Sequence, residues 1–161
     1  MTTLTQERLR EVLFYDPETG LFTRLRPSGA TRAGDVAGTK TGVYYSKISV
    51  DGKLYQTHRL VWLYVHGYLP ATDVDHIDGD KQNNRLSNLR EVSRSVNAQN
   101  LKVAKINNKV GLLGVCRHGP SFRAQITVNG KTRKLGVFKT EVLAHDAYLS
   151  AKRELHEGCT I

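Results

Sequence analysis

The sequence predicts an α+β fold built from short antiparallel strands and a few helices, and three observations carry that reading. Asp51-Gly52 and Asn129-Gly130 each join two stretches of alternating character. Such pairs tolerate the positive φ of a tight two-residue turn and are the strongest short-range hairpin signals. Residues 140–155 repeat apolar side chains at helical spacing. Between these, residues 73–97 run as strand, polar loop, strand and helix.

Taken in order, Thr5 ahead of Gln6 and Glu7 marks a helix start, with Leu9, Val12 and Leu13 on one face. Asp16-Pro17-Glu18-Thr19-Gly20 is a turn, and residues 27–42 form an irregular loop. Tyr44–Val50 and Lys53–Thr57 make the first hairpin. His58–His66 is a short helix closed by Gly67, offering Leu60, Leu63 and Tyr64 or Val61 and Trp62 to a core. Residues 73–77 and Leu89–Val92 are strands flanking the Asn-rich loop Gly79–Arg85, and Ser93 caps a helix containing Val96 and Asn97. Residues 101–110 read as a basic linker. Gly111–Arg117, Phe122–Val128 and Lys131–Phe138 form a three-stranded antiparallel sheet. Thr140 caps the last helix, with Ala144, Ala147, Tyr148, Ala151 and Leu155 on its apolar face and Gly158 at its end. In the middle strand Phe122, Ala124, Ile126 and Val128 face the helix, while Arg123, Gln125 and Thr127 face away. An uncovered face of cationic and amide groups suits a DNA groove. The expected divisions are 1–70, 71–100, 101–110 and 111–161.

Composition narrows the function. In 161 residues, 39% apolar and 24% charged side chains suffice for a buried core. No run approaches the roughly 18 apolar residues of a spanning helix, so no membrane partner is expected. The polar N-terminus predicts no signal peptide. Two cysteines, Cys116 and Cys159, fall short of a four-ligand zinc site, which predicts no structural zinc and fits a reducing cytoplasm. The net charge is +9, and between Glu91 and Glu141 there is no acid but ten lysines and arginines. A segment so one-sided repels itself unless it meets a polyanion, and nucleic acid is the default partner.

Against that background, Asp73, Asp75, Asp78 and Asp80 fall within eight residues, followed by Asn83, Asn84, Asn88 and Asn97. Acids in a polyanion binder need a reason, and a hard divalent cation bridging carboxylate to phosphate is one. A calcium loop beginning at Asp73 fails, with Ile77 at its fifth position, Asp78 at its sixth and Asn84 at its twelfth. A two-metal centre needs more converging carboxylates than a turn holding Asp78 and Asp80 offers. A single-cation site fits better, with one charged oxygen from Asp75, one amide oxygen from Asn97, and phosphate and water completing the shell. His76 could take a proton from water if its second nitrogen is oriented by an asparagine oxygen. By spacing alone, a histidine beside an aspartate is more often structural.

The stretch His58-Arg-Leu-Val-Trp62, Val74-Asp-His-Ile-Asp-Gly-Asp-Lys-Gln-Asn-Asn-Arg-Leu-Ser-Asn-Leu-Arg90 and Asn97 resembles the HNH nucleases of the phage homing-endonuclease group. Their signature is a His, an Asn 12 positions on and a second Asn 9 further, here His76, Asn88 and Asn97. The resemblance implies a ββα-metal core in which His76 activates the water. Asp75 and Asn97 would bind one divalent ion, Mg²⁺ or else Mn²⁺. Asn88 would pin the loop and help orient His76. It further implies hydrolysis of double-stranded DNA to 5′-phosphate and 3′-hydroxyl ends, in the cytoplasm of a phage-infected cell. The C-terminal segment, with Gly114-Val-Cys-Arg117, Ser121-Phe-Arg-Ala-Gln-Ile126, Leu135-Gly-Val-Phe138 and Ala144-His-Asp-Ala-Tyr148, resembles the plant ethylene-response-factor (APETALA-type) DNA-binding domain. That family's reading-face arginines and tryptophans are mostly replaced by Cys116, His118, Gln125, Thr127 and Lys134.

Candidate DNA contacts are Arg85 and Arg90 as phosphate clamps, with Arg117, Arg123, Gln125, Thr127, Arg133 and Lys134 in the C-terminal part. One site per chain predicts nicking by a monomer, or a weak dimer on DNA. The rival readings are a DNA-binding regulator with an inert centre and an RNA nuclease or binder. Trp62 and Tyr64 are expected in the core, and His145 and His156 at the surface. His58 is expected to pack or cap its helix, or to approach a phosphate.

Overall fold

The computed structural model describes residues 3–38 and 45–160. The chain forms two compact units, Met1–Val92 and Ser93–Ile161, each a mixture of short helices and small antiparallel sheets. Among the described residues no helix is long and apolar enough to cross a membrane.

In the first unit α1 spans Gln6–Val12, with the Thr5 hydroxyl accepting the Arg8 backbone N–H as N-cap. Leu13 leaves the helix in extended conformation and opens a hairpin where the sequence predicts only a turn. Its strands, β1 (Leu13–Asp16) and β2 (Leu21–Arg24), pair with Leu13 opposite Arg24, and β3 (Val36–Ala37) adds an edge. Leu13, Tyr15 and Phe22 point inward while Phe14 and Leu21 point outward. Because the outward residues are also apolar, the period-two pattern is masked, and Leu13 passes for one more helical core residue.

The next hairpin forms as the Asp-Gly signal dictates. Strands β4 (Lys47–Val50) and β5 (Lys53–Gln56) flank Asp51 at φ 47° and Gly52 at φ 76°. The start of the expected Tyr44–Val50 strand and the end of the 27–42 loop lie outside the described residues. Helix α2 (Thr57–His66) follows and stops at Gly67, whose φ of 82° is the left-handed C-cap. Leu60, Val61 and Leu63 are all buried, so both candidate faces of α2 are used. Trp62 and Tyr64 pack partly buried against the same core.

Strands β6 (Asp73–His76) and β7 (Leu89–Val92) then pair antiparallel, joined by the loop and a 3₁₀ turn at Leu86–Asn88. Val74 and Leu89 enter the core that also holds Leu9, Leu13, Phe22, Ile48 and Leu60. The 1–70 and 71–92 segments therefore share one hydrophobic core. They also meet at Gly20, where a Cβ would lie 2.6 Å from the Arg85 nitrogen and 2.7 Å from the Asn84 carbonyl carbon.

The second unit begins with α3 (Arg94–Gln99), capped by Ser93. The Gly158 backbone N–H donates to the Gln99 side chain at 3.0 Å, and the Thr160 hydroxyl to Asn100 Oδ1 at 2.5 Å. Within 108–115 the Asn108 side chain donates to the carbonyls of Leu112 and Val115 and accepts from Val110 N–H. This turn occupies the start of the strand expected at Gly111, so β8 runs only Val115–His118. With β9 (Ser121–Val128) and β10 (Lys131–Phe138) it forms a sheet with β9 central. The last hairpin turns on Asn129 at φ 51° and Gly130 at φ 75°.

Helix α4 (Glu141–Leu155) lays Ala144 and Ala147 against Val115, Phe122 and Ala124. Lys152 is unexpectedly buried, donating to the Leu101 carbonyl, and burial holds its ammonium below the ordinary lysine value. His145 and His156, expected at the surface, are half-buried because each ring bonds a backbone carbonyl, of Leu113 and Thr127 respectively.

Gly20 combines a φ of 74° with backbone neighbours that cannot retreat, whereas Gly29, at φ 59°, has nothing within 4 Å of an added Cβ. Gly20→Ala should therefore destabilise the protein by about 2–3 kcal/mol in urea unfolding, and Gly29→Ala by only about 1 kcal/mol.

Candidate active site

Strand β6 presents Asp75 and His76 side by side, both buried. Strand alternation sends the two side chains to opposite sides. Across the hairpin, Asp75 stands opposite Arg90. The guanidinium Nε, at 3.1 Å, and Nη2, at 2.9 Å, both donate to Asp75 Oδ2.

His76 meets the loop instead. Its Nε2 lies 3.2 Å from Asn84 Oδ1. The Asn84 amide donates to the Gln82 carbonyl at 3.1 Å, which turns its oxygen toward the ring. The Asn84 carbonyl accepts the Tyr15 hydroxyl at 2.9 Å. With an oxygen facing Nε2, that nitrogen carries the hydrogen, and a neutral ring keeps its lone pair on Nδ1.

Asn88 ties the loop together. Its Oδ1 accepts the Asp78 backbone N–H at 3.0 Å, and its amide donates to Asp78 Oδ1 and to the Asn83 carbonyl, each at 2.9 Å. Burial alone would raise the Asp78 carboxyl, but hydrogen bonds from Asn83, Asn88 and the Asp80 backbone outweigh it and hold it below the ordinary value. Asp78 and Asp80 thus serve the turn.

A family model described as HNH endonuclease matches residues 55–99, which contain all of these groups but Tyr15. DNA endonuclease I-HmuI of Bacillus phage SP01 is 32% identical over 117 residues, covering 60% of this chain and 67% of that protein. The chain belongs to the HNH endonuclease family. The HNH endonuclease L560 of Acanthamoeba polyphaga mimivirus is also 32% identical, over 110 residues that cover 67% of this nuclease and 57% of the relative. The solved structure of DNA binding and cleavage by the HNH homing endonuclease I-HmuI aligns at a TM-score of 0.44 and 22% identity, covering 91% of this chain and 88% of that one.

The electrostatics of the nuclease site favour neutral imidazoles. Burial lowers the pKa of His76, and the hydrogen bond to Asn84 and the nearby aspartates only partly offset this. His58, buried on α2, sits edge-on to His76 with ring centroids 5.1 Å apart. Burial, then the neighbouring His76 and Arg59, push His58 down to about 3. Tyr45 packs against both rings, at 5.0 Å from His58 and 5.9 Å from His76.

The structure brings Asp75, His76 and Arg90 together on one hairpin, while Asn88 braces the loop. The asparagine bonded to His76 is Asn84, which the sequence offered as one amide among several in the loop. Asn97 lies half-buried on α3 in the second unit. Arg85 is exposed but engaged within the protein, donating to the Glu18 carbonyl at 2.5 Å and to Asn83 Oδ1 at 3.3 Å.

The candidate DNA-reading residues of the second unit divide between two sheet faces. Lys134 pairs with Gln125, so Arg123, Gln125, Thr127 and Lys134 share the face away from α4. Arg117 pairs with Phe122 and Arg133 with Ile126, which puts both arginines on the opposite, helix-bearing side of the sheet. Both are nevertheless exposed, and Arg117 lies over the Phe122 ring at 5.3 Å. A single flat contact with the outer face would engage the first group and leave these two out.

Two outcomes follow from this geometry. Asn84→Ala removes the acceptor of a buried ring N–H and should lower cleavage about 10–100-fold with the circular dichroism spectrum unchanged. His58 gains a proton readily when unfolded but not when folded, so below the ordinary 6.5 the unfolded state binds more protons. Stability should fall as pH drops from 6.5 toward 3, by about 2 kcal/mol at pH 5, and thermal melts of the protein and of His58→Gln should differ in this slope.

Proposed function

We propose that this nuclease hydrolyses double-stranded DNA with His76 as general base and one divalent cation bound at Asp75 and Asn97. The observation that carries the reading is the buried His76, held by Asn84 at Nε2 and next in sequence to the buried Asp75. A neutral imidazole with its lone pair on Nδ1 accepts a proton from water attacking phosphorus. Asn84 favours that tautomer, its own amide being oriented by the Gln82 carbonyl and its backbone tied to the Tyr15 hydroxyl. Asn88 holds the loop that carries Asn84.

The donor chemistry suits a hard ion. Among the described residues no cluster of three or more His, Cys, Asp or Glu side chains is placed to hold a metal. A cation held by the Asp75 carboxylate and the Asn97 amide would draw on water and phosphate for the remaining oxygens, the preference of Mg²⁺ and, less strictly, Mn²⁺. When bound it supplies Lewis-acid stabilisation of the charge leaving on the 3′ oxygen. The sequence spacing from His76 through Asn88 to Asn97 supports the second ligand and a ββα-metal core.

In the same reading the second unit is an ethylene-response-factor-like DNA-binding domain, its three-stranded sheet backed by α4 and its outer face carrying Arg123, Gln125, Thr127 and Lys134 toward the bases. Arg117 and Arg133 are phosphate contacts at the sheet margins, as Arg85 is beside the cut. One site per chain makes the protein a nickase acting as a monomer, or as a weak dimer when two copies meet on the duplex, inside an infected bacterial cell.

Incubation of supercoiled plasmid with protein and Mg²⁺ should yield nicked circles with 5′-phosphate ends, and His76→Ala should leave the plasmid supercoiled. Because the His76 pKa is lowered, the cleavage rate should stay level as pH falls to 6.5 and decline only below it. A plasmid that shifts in mobility yet stays uncut with both proteins would overturn the reading in favour of a DNA-binding regulator.

A further inference from the structure

Arg90 does something more specific than stand near a phosphate. Two of its N–H groups converge on one oxygen of Asp75, and the carboxylate is only 9% exposed while the arginine side chain is 26% exposed. A carboxylate this buried is paired with a positive group, here the guanidinium that gives it two N–H donors. A divalent cation on the same carboxylate would supply that partner and would repel a guanidinium within hydrogen-bonding distance. Arg90 is also the member of the pair with a path to solvent, through a long stem that can lift its head toward the surface.

We propose that Arg90 and a divalent cation exchange on Asp75, the guanidinium moving from the carboxylate to a phosphate of bound nucleic acid as the cation takes Oδ2. This rests on the reading of Asp75 as a cation ligand. Arg90 is then a positioning residue that holds the Asp75 carboxylate in place before the cation arrives. It also links the two ligands. Phosphate that draws Arg90 away exposes the carboxylate to the cation, and a cation on the carboxylate frees Arg90 for phosphate. Each ligand therefore strengthens binding of the other by the same factor.

The test measures Mn²⁺ binding to the full chain by the electron paramagnetic resonance signal of the free ion, without DNA. Arg90→Gln removes the competitor and should bind Mn²⁺ about tenfold more tightly than the unaltered protein. Arg90→Lys keeps the charge but not the paired donors, and should fall between the two. A labelled duplex followed by fluorescence anisotropy should bind more tightly on adding Mn²⁺, and this gain should shrink in Arg90→Gln. Should Arg90→Gln fail to fold, the intermediate tightening of Arg90→Lys decides the matter. Mn²⁺ binding that is lost in Asp75→Asn but unchanged or weaker in the Arg90 variants overturns the exchange and leaves the nuclease reading standing. Mn²⁺ binding that survives Asp75→Asn overturns the cation-ligand reading and the exchange with it.

Discussion

An imidazole kept uncharged inside the protein is the constraint around which the first unit is arranged. His76 is almost fully buried and has His58 against its ring, so a proton on either would face desolvation, and one on His58 the neighbouring His76 as well. A buried N–H still needs an acceptor. Asn84 provides it, with its side-chain amide oriented by the Gln82 carbonyl and its backbone carbonyl accepting the Tyr15 hydroxyl from β1. The short N-terminal hairpin therefore acts on the chemistry at one remove. Its turn comes so close to the Asn84–Arg85 backbone that only glycine fits at position 20.

The same economy governs the acids. Four aspartates crowd one short stretch of a basic protein, but the fold gives them different tasks. Asp78 and Asp80 accept backbone and amide hydrogens within their own loop. Asp75 alone is drawn inward, where the pleat of β6 and its register with β7 set it against Arg90. There its Oδ2 accepts two N–H groups of the guanidinium.

In the second unit, alternation along β9 separates a packed face from an outer one. Basic residues on the neighbouring strands are assigned to one side or the other by pairing alone. Arg123 and Lys134 share the outer face, whereas Arg117 and Arg133 emerge on the side of α4. Net charge over this segment thus overstates how many cations one flat contact can use. The burial of Lys152 removes a further positive charge from the surface.

Much of this was legible in the residues themselves. The two hairpins at Asp51-Gly52 and Asn129-Gly130, the Gly67 stop of α2, the Ser93 and Thr140 caps and the inward set Phe122, Ala124 and Ile126 are all local. They follow from which residues tolerate positive φ, which side chains cap a helix and how a pleat alternates. The spacing of His76, Asn88 and Asn97 likewise marked the family. The hairpin at Leu13–Arg24 is hidden in the sequence because its outward residues are apolar too, and the late start of β8 because Asn108 folds the preceding residues into a turn. What only the tertiary structure decided is which asparagine faces His76, which base holds Asp75 and which glycine must remain one. Tyr15 and Asn84 lie 69 positions apart, and Arg90 reaches Asp75 across 15. Such choices rest on contacts of about 1 kcal/mol each, settled by strand register and by packing against distant segments rather than by any preference of the residues concerned.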